Sequence, residues 1–435
     1  MRHVVMWTSC LLSACSVSPA GEDAARESWR DAGAAYVAPF GERAVPPLDS
    51  EASLATLLAH AQARNGALEA KWREWLAELE EVPQAGTQPT TAMLGIEHEL
   101  DGGAALDRTA LTLMSDAMDN LVWPGRLESR AEAALARAKV AARAFDVERL
   151  ALQRKVAEAW HSLALRDAEL VLLDRLHAVL SVAVPSVDAR VASGTATQDE
   201  ALRARAALER LDAESVRMRA ERPALLAALQ SLVAADDPLD ALRPPLDELA
   251  PLREEELALL EQAQAGNPEL ALRSEEIAAA AAEIESRTWE RVPQFAFGSM
   301  LRGDGVASLS GAFSLPFLRG TAIEAAVRQA EAQRAAAEAM RRQAGYDVAA
   351  ALRAETTALH AVEAEHAILA ERLLPRLRQI EGLARARWSA AQGSFADHAA
   401  ASADAIDVER ALLKLRAEHA SARARLAELL GTAHG

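Results

Sequence analysis

The chain has 435 residues and a formal net charge of −17, with 51% hydrophobic but only 4% aromatic residues. That balance excludes a disordered chain, and it argues against a nucleic-acid partner, because phosphate binding needs a basic surface. Its two cysteines, Cys10 and Cys15, cannot build a disulfide framework or a cysteine metal site.

Alanine and leucine interleaved with Glu and Arg are the composition of long, closely packed helices. After the N-terminus no uninterrupted apolar run reaches the ~20 residues of a membrane-spanning helix, so any bilayer crossing is expected as a closed β-barrel. Arg2 and His3 precede the apolar run Val4 to Leu12, which reads as a signal peptide over residues 1–15. The run ends in Leu12-Ser13-Ala14-Cys15, which resembles the bacterial lipobox. The resemblance implies cleavage before Cys15 and acylation of its thiol and new amino group, palmitate included. Ser16, rather than Asp, favours sorting to the outer membrane. The alternative is a generic signal peptide with an incidental cysteine. Residues 16–50 are expected as an N-terminal extended segment.

The rest of the chain is written twice, as repeats over 51–232 and 253–431, joined by a Pro-rich linker at 233–252 and followed by a tail at 432–435. Ala61-Gln-Ala-Arg-Asn65 returns as Ala263-Gln-Ala-Gly-Asn267, and Val82-Pro-Gln84 returns as Val292-Pro-Gln294. On that matching the second copy is about a heptad longer, which a coiled coil tolerates.

Two strands are predicted after each Val-Pro-Gln. In 91–100, Leu94, Ile96 and Leu100 fall on one face and Met93, Gly95, Glu97 and Glu99 on the other, with His98 interrupting the apolar face. The strand in 110–123 alternates poorly and carries Asp116, Asp119 and Asn120. In the second copy a short run, Phe295 to Leu301, precedes a clearer one over 308–317. There Leu309, Phe313, Leu315 and Phe317 oppose Ser308, Ser310 and Ser314. Apolar-out with small and polar-in suits a lipid-facing barrel around water; the alternative is an ordinary two-sided hairpin. Trp123, Phe295, Phe297, Phe313 and Phe317 are the candidate membrane-interface anchors.

Sharp turns at Pro124-Gly125-Arg126 and Leu318-Arg319-Gly320 lead into long helices over 126–191 and 321–391. Each spans on the order of 100 Å at about 1.5 Å per residue. Pro185 and Pro375 are expected to bend them, and Pro223 to kink the return helix over 197–232. The second return helix, 396–430, carries a heptad seam of Leu412, Leu415, His419, Ala422, Leu426 and Leu429. The linker's prolines, among them Pro238, Pro244, Pro245 and Pro251, mark it as no core element.

This ordered set, repeated behind a lipobox, resembles the TolC-like outer-membrane efflux protein family. The match is to its lipoprotein branch serving metal- and drug-exporting pumps, and it runs from about Glu51 to Leu430. The implied fold is mainly α with a small β part: duplicated long helical hairpins and two β-hairpins. It further implies a homotrimer whose helices form an α-barrel and whose subunits each add four strands to one shared 12-stranded transmembrane β-barrel. The implied partners are a periplasmic adaptor protein, an inner-membrane transporter and the outer membrane, with the energy coming from the transporter.

A duct has no catalytic centre, so no enzyme activity and no cofactor beyond the lipid on Cys15 is expected. The resemblance carries the gate and the adaptor-docking surface to the hairpin tips: Gly194, Thr195, Gln198 and Asp199 in the first copy, Gly393, Ser394, Phe395 and Asp397 in the second. Asp199 and Asp397 read either as acidic rings that favour cations or as acids at helix N-termini. The barrel-to-helix turns are Pro124, Gly125 and Gly320. No metal site is expected: Glu97, His98 and Glu99 alternate across a strand, and His360 and His366 point to different sides of one helix. The competing readings are a periplasmic adaptor lipoprotein and a coiled-coil envelope scaffold, neither with a pore.

Overall fold

In the computed structural model of the chain the described residues are 16–88, 92–98, 109–115, 122–302, 306–390 and 392–432. Cys15, Glu99, Leu100, Asp116, Asp119 and Asn120 lie outside them. The protein is mainly helical, with one small sheet. Its helices are α1 (Glu22–Ala32), α2 (Leu54–Arg64), α3 (Gly66–Gly86), α4 (Pro124–Ala192) and α5 (Gln198–Val233), then α6 (Glu256–Gly266), α7 (Pro268–Thr288), α8 (Gly320–Ala367), α9 (Leu374–Ser389) and α10 (Phe395–Leu430). The strands are β1 (Ala92–His98), β2 (Thr109–Ser115), β3 (Phe295–Arg302) and β4 (Ala307–Phe313). From α2 onward the succession of two helices, two strands, a long helix and a return helix occurs twice.

The chain gathers into two compact units. One holds the N-terminal stretch to Ala34, with Ala70–Val147 and Glu269–Gly345. Here residues 16–50 depart from the extended segment expected of them, because Glu22–Ala32 is helical and docks on α3 through Trp29 and Trp72. Trp72, Trp75, Leu79, Leu127 and Phe145 are buried in this unit, and Trp75 and Phe145 meet at 6.2 Å between ring centroids.

The other unit holds Ala35–Glu69, Glu148–Pro268 and Tyr346–Gly435. Asn65 organises its start. It ends α2, its Oδ1 accepts from the amides of Ala67 (3.0 Å) and Leu68 (3.1 Å) at the head of α3, and its Nδ2 donates to Leu232 O at 2.9 Å. Asn267 stands in the same place in the second copy and donates to Leu429 O at 2.9 Å. The repeated Ala-Gln-Ala-x-Asn is thus a helix stop that ties down the end of a return helix. Val-Pro-Gln is not such a landmark. Pro83 lies inside α3, whereas Val292 follows the 3₁₀ turn that ends α7. Both α3 and α7 have 21 residues, so the second copy is not a heptad longer.

The linker has no helix or strand, as its prolines imply, yet it does reach the core: Leu239 and Leu242 are buried, and Arg222 Nη2 donates to Leu242 O at 2.6 Å. The seam of α10 is buried from Leu412 through Leu426, with Leu429 half-buried. Leu259, Leu352, Leu359, Ala422 and Leu426 form one cluster. Another joins Leu173, Leu180, Ala183 and Val187 of α4 to Ala201, Ala204, Leu211 and Met218 of α5.

The 69-residue α4 contains an 18-residue window apolar enough by composition to cross a membrane, one third of it buried. Leu173 and Leu180 of α4 lie in that helix-to-helix cluster, with Leu170 and Leu176 packed against it. Pro185 and Pro223 sit inside helices that continue through them. At Pro375 the path differs: a π-helical turn, Ile368–Leu373, precedes it. Proline lacks the amide that would bond Glu371 O and its ring crowds that carbonyl, so the widened turn absorbs the mismatch.

Candidate functional site

The sheet is antiparallel in the order β1-β2-β3-β4. Its register opposes Ile96 to Leu111, Leu111 to Leu301, and Phe295 to Phe313. Because alternate residues face opposite ways, Leu94, Ile96, Leu111, Leu301, Leu309 and Phe313 share one face, and Gly95, Glu97, Thr112, Ser308 and Ser310 share the other. All six apolar residues are exposed, Leu309 at 83% and Phe313 at 78%. The β1 and β4 edges have no strand beside them among the described residues. β2 is described as far as Ser115, and β4 ends at Phe313 because Pro316 opens a 3₁₀ turn.

At the helical side of the sheet, Trp123 donates its indole N–H to Pro293 O at 2.7 Å and meets Phe295 edge-on at 5.2 Å. Pro124 is the first residue of α4. A Cβ on Gly125 would lie 2.7 Å from the Trp289 ring, so this glycine permits a close approach; around Gly320 there is open space. Val17 N donates to Gly86 O at 2.9 Å, and Ser16 bridges to Thr87. The residue after Cys15 is thereby pinned five positions before β1.

The two hairpin tips are built differently. In the first, Gly194 takes φ +73°, a left-handed conformation suited to glycine, and Thr195 N donates to Arg190 O at 2.8 Å to close the end of α4. Thr197 then caps α5: its Oγ1 accepts from Glu200 N at 3.3 Å, while Glu200 Oε2 accepts from Thr197 N at 3.2 Å. Gly194, Thr195, Gln198 and Asp199 are all exposed. Asp199 pairs with Arg203 at 2.8 Å.

In the second tip Gly393 has no left-handed backbone; a Cβ there would sit 3.1 Å from Arg387 Cβ, so close approach is its role. Ser394 is the cap of α10, accepting from Asp397 N at 3.1 Å. Asp397 is exposed, whereas Phe395 is 4% exposed and joins the α4–α5 cluster. Phe395 therefore faces inward within the chain. Beside it Trp388 meets Phe395 edge-on at 6.2 Å and stacks on His398 at 5.6 Å. Burial holds the His398 imidazole below its ordinary pKa, with Arg385 pushing the same way and Glu381 opposing.

Thr197 and Glu200 were readable as a Thr-x-x-Glu capping box. Trp388 and His398 were not, because a chain reversal separates them. Among the described residues no three His, Cys, Asp or Glu side chains are grouped to hold a metal ion; His98 Nδ1 instead lies 2.9 Å from Thr109 Oγ1.

The chain has the fold of the outer-membrane channels of bacteria. A membrane protein from Pseudomonas aeruginosa superposes with a TM-score of 0.72 at 20% identity, over 88% of this chain and 91% of that one. The outer membrane protein VceC of Vibrio cholerae gives 0.70 at 17% identity, over 87% and 96%. The open-state MtrE outer membrane channel of Neisseria gonorrhoeae gives 0.70 at 20% identity, over 87% and 89%. No family model matches the sequence and no curated protein does, so the likeness is one of fold.

Proposed function

We propose that this chain is the outer-membrane channel component of a tripartite efflux system, conducting substrates passively from periplasm to exterior. The observation that carries the reading is the open-edged sheet. Four strands with an exposed apolar face and, among the described residues, two edges with no strand beside them leave polar backbone groups that a membrane cannot solvate. Closure with the sheets of two further copies satisfies both edges, giving a homotrimer and a 12-stranded barrel.

Helix α8 supports the same stoichiometry. Residues 331–336, Glu-Ala-Gln-Arg-Ala-Ala, are exposed on every side, and small residues there suit close packing against another subunit's helix. The pinning of Ser16 and Val17 at the end of α3, shortly before β1 in the chain, supports a lipid on Cys15 at the membrane surface. In this reading an adaptor docks on the exposed tips around Gly194, Thr195, Gln198, Asp199 and Asp397. An inner-membrane transporter supplies the energy, and the adaptor's higher affinity for the open state drives dilation. The duct itself performs no chemistry.

Electron-microscope imaging of the detergent-extracted full-length protein tests it. A long hollow three-fold particle is expected; solid rods or compact monomers would instead make the chain a coiled-coil scaffold.

A further inference from the structure

Three polar side chains at the start of α4 have no partner among the described residues. Arg126 is 8% exposed and Ser129 3%; Arg126 Nε and Ser129 Oγ are sealed from solvent and make no hydrogen bond. Arg130, half-buried one turn on, has no hydrogen bond or ion pair among the described residues. Spacings of three and four residues put all three on one face of the helix.

The one carboxylate that acts on Arg126, that of Glu290, is already engaged. It accepts from Arg287 Nη1 at 3.2 Å, and Arg287 Nε also bonds Glu283 at 2.8 Å. Burial pushes the Arg126 pKa below the ordinary guanidinium value, with Arg130 adding to the effect. The first turns of a helix carry the positive end of its dipole and disfavour cations. Two arginines in that position without a hydrogen-bonded or ion-paired partner among the described residues, one of them buried, are costly unless an anion completes them.

The position indicates which anion. The same turn follows Trp123, which is 44% exposed and braced against Pro293 and Phe295. Exposed indoles of this kind sit at the level of lipid headgroups. We propose that Arg126, Ser129 and Arg130 form a binding site for a phosphate-bearing anion, supplied by an anionic lipid of the periplasmic leaflet. Guanidinium forks match phosphate oxygens in pairs, the Ser129 hydroxyl adds a donor, and the helix terminus adds favourable potential. The site rests on the channel reading only for its position against the membrane.

The test uses full-length protein and the Arg126→Gln/Arg130→Gln variant in nanodiscs of phosphatidylcholine, with or without phosphatidylglycerol. Native mass spectrometry counts retained lipid, and melting is followed with and without inorganic phosphate in detergent. The wild type is expected to retain phosphatidylglycerol selectively and to melt higher in its presence. The variant should retain roughly tenfold less and melt alike in both discs. If inorganic phosphate alone raises the wild-type melting point, and not the variant's, the anion site stands and its source is free phosphate. Equal responses of both proteins, or none, overturn the site. So does a variant whose trimer weakens without any lipid dependence, which would place a neighbouring subunit's carboxylate on the arginines. Should the double variant fail to fold, Arg130→Gln, at a half-exposed position, carries the same comparison. Three-fold particles without selective lipid retention would sink the site and leave the channel intact; absence of such particles would sink the channel.

Discussion

Trp29 and Trp72 hold one another by two reciprocal hydrogen bonds across a stack. The rings lie 4.4 Å apart and 9° from parallel. Trp72 Nε1 donates to Trp29 O at 2.8 Å, and Trp29 Nε1 donates to Trp72 O at 3.1 Å. The pair fastens α1 onto α3, and Gly33 lies directly against it: a Cβ there would meet Trp72 Nε1 at 1.9 Å.

Gly33→Ala is therefore expected to destabilise this attachment by about 1–3 kcal/mol, the usual cost of overpacking. Limited proteolysis is the measurement. Cleavage within 22–32 should accelerate severalfold while the long helices stay protected.

Asn65 joins three helix ends, so Asn65→Ala removes a cap and leaves Leu232 O unpaired. A loss of about 1–2 kcal/mol is expected, and Asn267→Ala should behave alike through Leu429 O. Denaturant melts of both single variants check this.

Both return helices end on a left-handed residue, Ala234 at φ +53° and Gly431 at φ +70°. The alanine is strained there, so Ala234→Gly is expected to stabilise by roughly 1 kcal/mol. Gly431→Ala should destabilise by more, because its Cβ would strike Gly266 O at 1.9 Å. Opposite shifts in melting temperature are the expected result.

Stability should fall on acidification. Burial holds His366, His398 and His419 below the ordinary 6.5, for His419 despite its bond to Glu363 at 3.3 Å. The unfolded chain then binds more protons, so stability is complete above pH 6.5 and is lost as pH falls through the lowered native values. His398→Phe keeps the ring against Trp388 and should shrink the difference between melts at about pH 7.5 and about pH 5.5.

At the tips, Arg203 offsets Asp199, so under the proposed function Asp199→Asn should change the cation preference of the reconstituted protein little. Asp397→Asn should lower it more. Reversal potentials in planar bilayers under a salt gradient distinguish the two.

Much of this architecture was legible in local pattern. Helix-forming residues dominate from Arg126 to Val191, and Leu309, Phe313, Ser308 and Ser310 alternate with the period of a strand; both periods are set by the backbone itself. Gly194 and Gly393 mark the reversals, and Asn65 and Asn267 mark the repeated helix stop, because turns and caps admit few residue types.

What local pattern misses is pairing between distant residues. Val82-Pro-Gln84 and Val292-Pro-Gln294 match as text but stand in different structures, since three residues carry too little packing information to determine their own conformation. Residues 16–50 have a helix because Trp29 finds Trp72, and that partner lies 43 positions away.

The sequence by itself determined the course of the long helices, the strand faces and the places where the chain turns, through backbone periodicity and the restricted choice of residues at reversals. Only the tertiary structure decided that Phe395 turns inward while Asp397 stays outside, that the linker buries Leu239 and Leu242, and that Arg126 Nε is buried without a hydrogen bond. Those outcomes depend on which surfaces meet, and burial and charge pairing arise from contacts across the fold.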